Sequence, residues 1–348
     1  MKRVRFGTKP PLYANASEKL HYATMIENIG FDSVWLGDHL IETDQKIPCV
    51  DPWSAFSAFA VITKRVALGT CVTDPHKRHP AVLAQTVATV NQLSGGRVII
   101  GLGAGEAMNL KPFNIHWDRS LSRMKEAIEI LKQLLVGEKV THNGEFYKLD
   151  EAYLTGIDPI QKPYPPIYVA GQSSRSRKMA GMLGDGWIAL LMSPELYKKD
   201  LEDVRKGAAL AGRNFSDIDV TYSVSTSISK DFDEAKGRVV ERVRAAFLWW
   251  PRQLRRYGYE ITDDFDWLNL VVTEGLMDKA APHFKDAPVE VAEQVCIYGT
   301  PDDVIERIEE YIKVGVTHFI LTTPDHMDEF CEIVGKKIIP YFREAQTP

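Results

Sequence analysis

Four cysteines in 348 residues, no long apolar run and no excess of basic charge mark the chain first by what it has little of. Each shortage excludes a class. Cys49, Cys71, Cys296 and Cys331 lie far apart and form no CxxC pair, so neither a disulfide framework nor a zinc site is expected. Their default place is that of buried small hydrophobes. No stretch approaches the ~18 uninterrupted apolar residues that a membrane span requires. The opening Met1-Lys-Arg-Val-Arg-Phe-Gly-Thr8 has basic residues but passes straight into strand-like alternation, without the apolar core of a signal peptide. A cytoplasmic chain with no membrane partner is expected. The net charge of -5 argues against a nucleic-acid partner, because neutralising phosphates needs a basic surface. His116, His142, His283, His318 and His326 show no ligand spacing such as HExxH, so no metal is implied.

What the chain does have is alternation. Strand-like runs occur at Val4–Gly7, Ser33–Leu36, Val66–Cys71, Val98–Gly101, Ile167–Ala170, Gly186–Leu191, Val220–Val224 and His318–Thr322. Between them lie segments with apolar residues three or four apart, at 17–30, 80–93, 121–135, 174–183, 194–210, 232–246 and 301–314. Pro301-Asp-Asp makes an acidic first turn suited to a helix dipole, and Gly315 stops the same helix. Strands that alternate with helices pair in parallel, and about eight repeats close into a (β/α)8 TIM barrel. The fold expected is a single barrel domain over 1–348 with insertions near 140–166 and 249–295. The first insertion contains a hairpin-like stretch, with Asn143-Gly144 as a plausible tight turn. The second is read as largely helical and lies between the last two strands.

In such a barrel the chemistry sits on loops that follow the strands. Those loops carry Asp38-His39, Cys71-Val-Thr-Asp74, Gly103–Asn109, Gly171-Gln-Ser-Ser174 and Thr322-Thr-Pro324. The turn Gly103-Ala-Gly-Glu-Ala-Met-Asn109 is the most informative of them. Gly103 and Gly105 have no Cβ to keep a flat or phosphorylated ligand away from the backbone, and Glu106 stands at the mouth. It lacks the third glycine and the downstream acid of a dinucleotide fingerprint, so taken alone it is equally a plain strand-to-helix turn.

Together, Gly37-Asp38-His39, the run Thr73–Ala81 with Ala84-Gln85, the turn 103–109 and Gly171-Gln with Gly184-Asp-Gly186 resemble the bacterial-luciferase-like superfamily. The resemblance runs from residue 1 to about 345 and is nearest the branch that uses the deazaflavin coenzyme F420. The Gly-Glu-Ala-Met-Asn turn is similar to deazaflavin-dependent alcohol and sugar-phosphate dehydrogenases. Ile115-His-Trp-Asp118, Met124–Ile128 and Leu134–Lys139 are similar to methylenetetrahydromethanopterin reductase.

The resemblance implies an oxidoreductase that moves hydride between F420 and a small organic molecule. His39 would exchange a proton with the substrate, since imidazole titrates near neutrality. Glu106, if partly buried with a raised pKa, would balance the proton at the coenzyme, its plainer role being a carboxylate at a helix N-terminus. Asp38, Gly105 and Asn109 would lie against the coenzyme. So would Cys71, Val72 and Thr73, with a cis peptide between Cys71 and Val72. Gly171, Gln172 and Ser173 would meet the phosphate-bearing tail at a helix start near Arg175 and Arg177, simple N-capping by Ser173 or Ser174 being the alternative.

His76, Lys77, Arg78 and His79 suit either an anionic ligand or a solvated loop. Where the dehydrogenases have a tryptophan shortly after the histidine, this chain has Thr43-Asp44, so its substrate wall must come from elsewhere, with Trp53, Trp117 and Trp249 as candidates. The stretch Trp249–Arg256 suits a cleft wall, packing or a subunit contact equally. Relatives often pair as homodimers. Two other functions stay open: an FMN-dependent monooxygenase of the same superfamily, and a non-catalytic ligand-binding barrel.

Overall fold

A computed structural model describes residues 3–44, 46–259, 271–272, 275–276, 287–323 and 326–344, the side chains of Leu248, Trp249 and Pro251 excepted. Eight parallel strands form a closed ring: β1 (Arg5–Thr8), β2 (Ser33–Leu36), β3 (Ala67–Thr70), β4 (Val98–Leu102), β7 (Ile167–Ala170), β8 (Gly186–Leu190), β9 (Asp219–Ile228) and β11 (His318–Thr322). Pairing of β8 with β9 and of β11 with both β9 and β1 closes it. The (β/α)8 barrel is therefore the architecture. One added strand, β10 (Ile297–Gly299), pairs with the second half of β9 and was not expected from the sequence.

Helices separate the strands. They are α1 (Ala16–Ile29), α2 (Pro52–Ile62), α3 (Pro80–Ser94), α4 (Ala107–Leu110), α5 (Ser120–Leu135), α6 (Ser174–Leu183), α7 (Pro194–Leu210), α8 (Phe232–Trp249), α9 (Pro251–Arg255), α10 (Val289–Val295) and α11 (Pro301–Lys313). After β11 come α12 (Met327–Ile333), a π-helical turn at Val334–Ile338, and α13 (Ile339–Glu344). Helix starts follow local chemistry. Asn15 and Glu18 form a capping box on α1, Thr300 and Asp303 one on α11, and Asp51 caps α2 with Pro52 in its first turn.

Helix α2 escaped the periodicity reading because it is apolar nearly all round: Trp53, Phe56, Phe59 and Ala60 are buried, so no polar stripe marks a face. The C-terminal helices also went unread, although Phe330, Cys331, Val334, Ile338, Ile339 and Phe342 are buried at helical spacing.

Two apolar layers hold the barrel together. Trp35, Ile99, Tyr168, Ile188 and Ile320 fill its interior, and a larger layer lies between strands and helices. The strand ends opposite the site are latched by charge. The Glu27 carboxylate accepts the backbone N–H groups of Lys64, Arg65 and Val66, and the Arg97 guanidinium donates to the carbonyls of Ala60, Thr63, Ser94 and Val66.

The first insertion is a hairpin of β5 (Val140–Asn143) and β6 (Lys148–Ala152). Its loop spans 144–147 rather than a two-residue Asn-Gly turn, because the Glu126 carboxylate gathers the N–H groups of Glu145, Phe146 and Tyr147. The second insertion is helical at its two described ends, in α9 and α10, and most of its middle, all of 260–286 but 271–272 and 275–276, lies outside the described residues. Of the cysteines, Cys296 and Cys331 are buried as expected, whereas Cys49 is exposed and Cys71 half-buried. Among the described residues no helix is long and apolar enough to cross a membrane.

Candidate active site

The C-terminal ends of β2, β3, β4, β7 and β8 open on one cavity of about 460 Å³. Asp38, His39, Val72, Gly105, Glu106, Asn109, Gly171, Gln172 and Ser173 all line it. Cys71 and Thr73 do not; they stand behind the Val72 wall. The Cys71–Val72 peptide is cis, as the resemblance implied. Thr73 N–H donates to the Gly101 carbonyl at 2.9 Å and the Thr73 carbonyl accepts Gly103 N–H at 2.8 Å, which stitches the ends of β3 and β4 together.

Asp38 turns inward from the end of β2 and is 4% exposed. Its carboxylate accepts the Thr73 hydroxyl at 2.5 Å, Arg78 Nη1 at 2.7 Å and Lys77 Nζ at 3.1 Å. Lys77 also meets Asp74 at 3.1 Å, and Arg78 reaches Asp51. Lys77 and Arg78 thus belong neither to a solvated loop nor to an anion site, the two roles the sequence suggested, because buried carboxylates already neutralise them. His79 accepts Ala81 N–H as the N-cap of α3, and His76 Nδ1 lies 3.0 Å from the His116 carbonyl.

His39 follows Asp38 on the loop and is half-buried. Its Nδ1 lies 2.5 Å from Glu42 Oε1, a contact the sequence reading missed; an acid three residues after the histidine was the available signal. Burial opposes the charged imidazole and Lys77 adds to that, but the Glu42 hydrogen bond and the charges of Glu106 and Glu42 outweigh both and raise its pKa. Glu42 is held below its ordinary value. Burial works against this, but the hydrogen bond and charge of His39, with Lys9 and Arg242 beyond, outweigh it. The loop is pinned from α4: Asn109 Oδ1 accepts Leu40 N–H at 2.8 Å and Ile41 N–H at 3.2 Å, while Asn109 Nδ2 lies 3.4 Å from Glu106 Oε2.

Glu106 is the N-cap residue of the one-turn helix α4, yet its side chain makes no capping bond and faces the cavity instead. Gly105 before it has φ +72°, a conformation that glycine adopts without penalty. At the far end Ser173 caps α6 through Ser176, so the capping role suggested for Ser173 is real. Arg177 is consumed by Asp200, Asp203 and the Gln172 carbonyl, which leaves Arg175 as the exposed cation there. Gln172 Nε2 is buried with no hydrogen-bond partner among the described residues.

Two of the three tryptophans expected in the substrate wall lie elsewhere. Trp53 is buried in the core against Phe56, Trp117 braces the Ala104 carbonyl from behind, and the Trp249 side chain lies outside the described residues. Trp250, with Arg252, Gln253 and Arg256, lines the cavity. Of the Thr322–Pro324 loop, Thr322 and Thr323 do not line the cavity, and Pro324 lies outside the described residues. Among the described residues no group of three or more His, Cys, Asp or Glu side chains could hold a metal ion.

Comparison with known proteins agrees with this geometry. The chain is 33% identical over 92% of its length to a 5,10-methylenetetrahydromethanopterin reductase of Archaeoglobus fulgidus, 94% of which is covered. It is 32% identical to an F420-dependent glucose-6-phosphate dehydrogenase of Microbacterium testaceum, over 98% of each chain. An F420-dependent secondary alcohol dehydrogenase, solved in complex with an F420–acetone adduct, superposes with a TM-score of 0.82 at 25% identity, covering 98% of this chain and 99% of that one. A coenzyme F420-dependent tetrahydromethanopterin reductase from Methanopyrus kandleri gives 0.81 at 25% identity, with the same coverage. The family model described as luciferase-like monooxygenase matches residues 3–318, and with relatives this similar along nearly the whole length, the chain belongs to that family.

Proposed function

We propose that the protein is a coenzyme F420-dependent oxidoreductase that moves a hydride between the deazaflavin and a small organic substrate, whether an alcohol, a sugar phosphate or a pterin-linked one-carbon unit. The observation that carries this reading is that His39 and Glu106 line one cavity beside the Val72 wall, with the Glu106 carboxylate favouring the charged imidazole. The cavity volume falls within the range of roughly 300–1,000 Å³ usual for small-molecule sites. Its walls fit the coenzyme: Val72 and Ile188 offer apolar surface to a flat ring, and the orphaned Gln172 Nε2 offers a buried donor. When bound, the deazaflavin supplies a carbon that accepts or returns hydride.

The chain's own residues do the rest. His39 gives or takes the proton of the substrate oxygen, and Glu106 holds the compensating proton on its carboxyl group. Asp38 lies against the coenzyme, and Cys71 and Thr73 support the Val72 wall beside it. Gly105 and Asn109 let the loop lie close to the ligand, and Gly171, Gln172 and Ser173 receive the phosphate-bearing tail at the start of α6. Trp250 closes the substrate side. We place its work in the cytoplasm. It works as a homodimer, for which the exposed apolar residues Val61 and Ile62 on α2 and Val82 and Leu93 on α3 are the support. The FMN-dependent monooxygenase has less support, since the most similar relatives above are named for methanopterin or F420 chemistry.

A screen of alcohols, sugar phosphates and pterins, followed by the absorbance of oxidised deazaflavin, tests the proposal. One substrate class should turn over, and His39→Ala and Glu106→Ala should each lose on the order of 10²–10⁴ of the rate. No turnover with any of them would favour a non-catalytic barrel.

A further inference from the structure

The His39 imidazole has two nitrogens with different surroundings. Nδ1 lies 2.5 Å from Glu42 Oε1, whereas Nε2 has no hydrogen-bond partner among the described residues, and the ring borders the cavity. Glu42 itself does not line the cavity. It stands behind the ring with a side chain 22% exposed, and Lys9 and Arg242 lie close enough to stabilise its charge. The two side chains share a loop whose backbone N–H groups at Leu40 and Ile41 are both held by Asn109. Ring and carboxylate are therefore fixed relative to each other by the same short segment, not brought together by two mobile elements.

A carboxylate can only accept, so the proton between the two groups belongs to Nδ1. We propose that Glu42 is the positioning residue of the site, holding His39 in the tautomer with its proton on Nδ1 so that Nε2 is the atom presented to the substrate oxygen. This deepens the hydride-transfer reading and rests on it for the identity of the reaction. In the reducing direction Nε2 would give its proton to the carbonyl oxygen as the C=O π bond opens and the carbon gains the hydride that a bound reduced deazaflavin would supply, the proton released by the coenzyme passing to Glu106. His39 is left neutral, with its proton still on Nδ1 and hydrogen-bonded to Glu42, and solvent restores the Nε2 proton. In the oxidising direction neutral Nε2 accepts the hydroxyl proton as hydride leaves the same carbon.

The charges that face the ring are Glu42, Glu106 and Lys77, and those that face Glu42 are His39, Lys9, Arg242 and the Cys49 thiol. The two carboxylates favour the imidazolium and Lys77 opposes it, so the proton-donating form persists to higher pH than in a free histidine.

The tautomer is read without turnover. ¹⁵N-histidine NMR of the whole protein, titrated with pH and assigned by His39→Gln, should show neutral His39 with its proton on Nδ1. Glu42→Gln keeps an acceptor but removes the charge, so the tautomer should stay while the titration midpoint falls by about one pH unit or more. Glu42→Leu removes the acceptor, and the Nδ1 preference should disappear. With coenzyme and substrate, the same variants should move the acidic-form limb of kcat downward in pH. A parent His39 protonated on Nε2 in its neutral form, or a Glu42→Leu spectrum and midpoint equal to the parent's, would overturn the proposal. Failure of deazaflavin turnover alone would instead remove the proposed reaction and leave the NMR result standing.

Discussion

Replacing Lys77 by Met should destabilise the protein by about 3 kcal/mol, the lower end of the ~3–5 kcal/mol expected when one partner of a buried ion pair is removed. Lys77 Nζ lies 3.1 Å from both Asp38 and Asp74, and the three side chains are 5%, 4% and 7% exposed. Losing the ammonium leaves two carboxylates in a poorly solvated place. The lower end applies because Asp38 keeps Arg78 at 2.7 Å and the Thr73 hydroxyl at 2.5 Å. Lys125→Met is the matched control. Its partner Glu129 is 2.6 Å away, but the pair is 51% and 31% exposed, so solvent screening limits the loss to below ~1 kcal/mol. Urea unfolding of both variants and the parent, compared at equal slopes, measures the difference. A Lys77→Met loss no larger than that of the control would refute the view that Asp38, Lys77 and Arg78 form a closed buried network. The substitution also takes away the cation that opposes protonation of His39, so the His39 midpoint should rise in the same variant.

Asn109→Ala frees the loop that holds His39 and Glu42, so kcat should fall by roughly tenfold or more with little change in the unfolding midpoint; stopped-flow turnover beside a melting curve separates the two effects. Gly101→Ala would place a Cβ 1.9 Å from the Thr70 carbonyl oxygen, a backbone atom that cannot swing away, and the variant should lose more than ~3 kcal/mol or fail to fold. For Glu27, burial works against ionisation but three backbone N–H bonds prevail and depress its pKa. Its contribution is therefore fully present above the ordinary glutamate range and is lost as pH falls through the depressed value. The stability gap between parent and Glu27→Gln should be constant near neutrality and close in acid, which unfolding curves at several pH values would show.

Much of this was legible in the sequence, for definable reasons. Runs such as Ser33–Leu36 and Val98–Gly101 are buried on both faces in a parallel sheet, so they read as continuous apolar stretches between amphipathic helices, and the barrel follows from their number. His39 and Glu106 were legible because loops after parallel strands meet at one end. The partners of charged residues were not. Lys77 and Arg78 look like a solvated basic pair until folding sets Asp38, Asp51 and Asp74 around them. Asn109 lines the cavity, but the hold of its carbonyl on Leu40 and Ile41 could not be read from the sequence. Trp250 lines the cavity where Trp53 and Trp117 do not, because α9 packs over the end of β8, where Gln253 Nε2 donates to the Leu191 carbonyl at 2.8 Å. Apart from Lys77–Asp74, three residues apart, such pairings depend on sequence separations of tens of residues that no local pattern encodes.

A competition titration of the purified protein with oxidised F420 and with FMN, followed by changes in absorbance and fluorescence, bears most directly on the claim that the cavity beside His39 and Glu106 holds a deazaflavin. Saturable binding of F420, tighter than that of FMN and weakened by widening the Val72 wall to Ala, is the predicted result. Tighter binding of FMN, or F420 affinity indifferent to the Val72→Ala change, would contradict it.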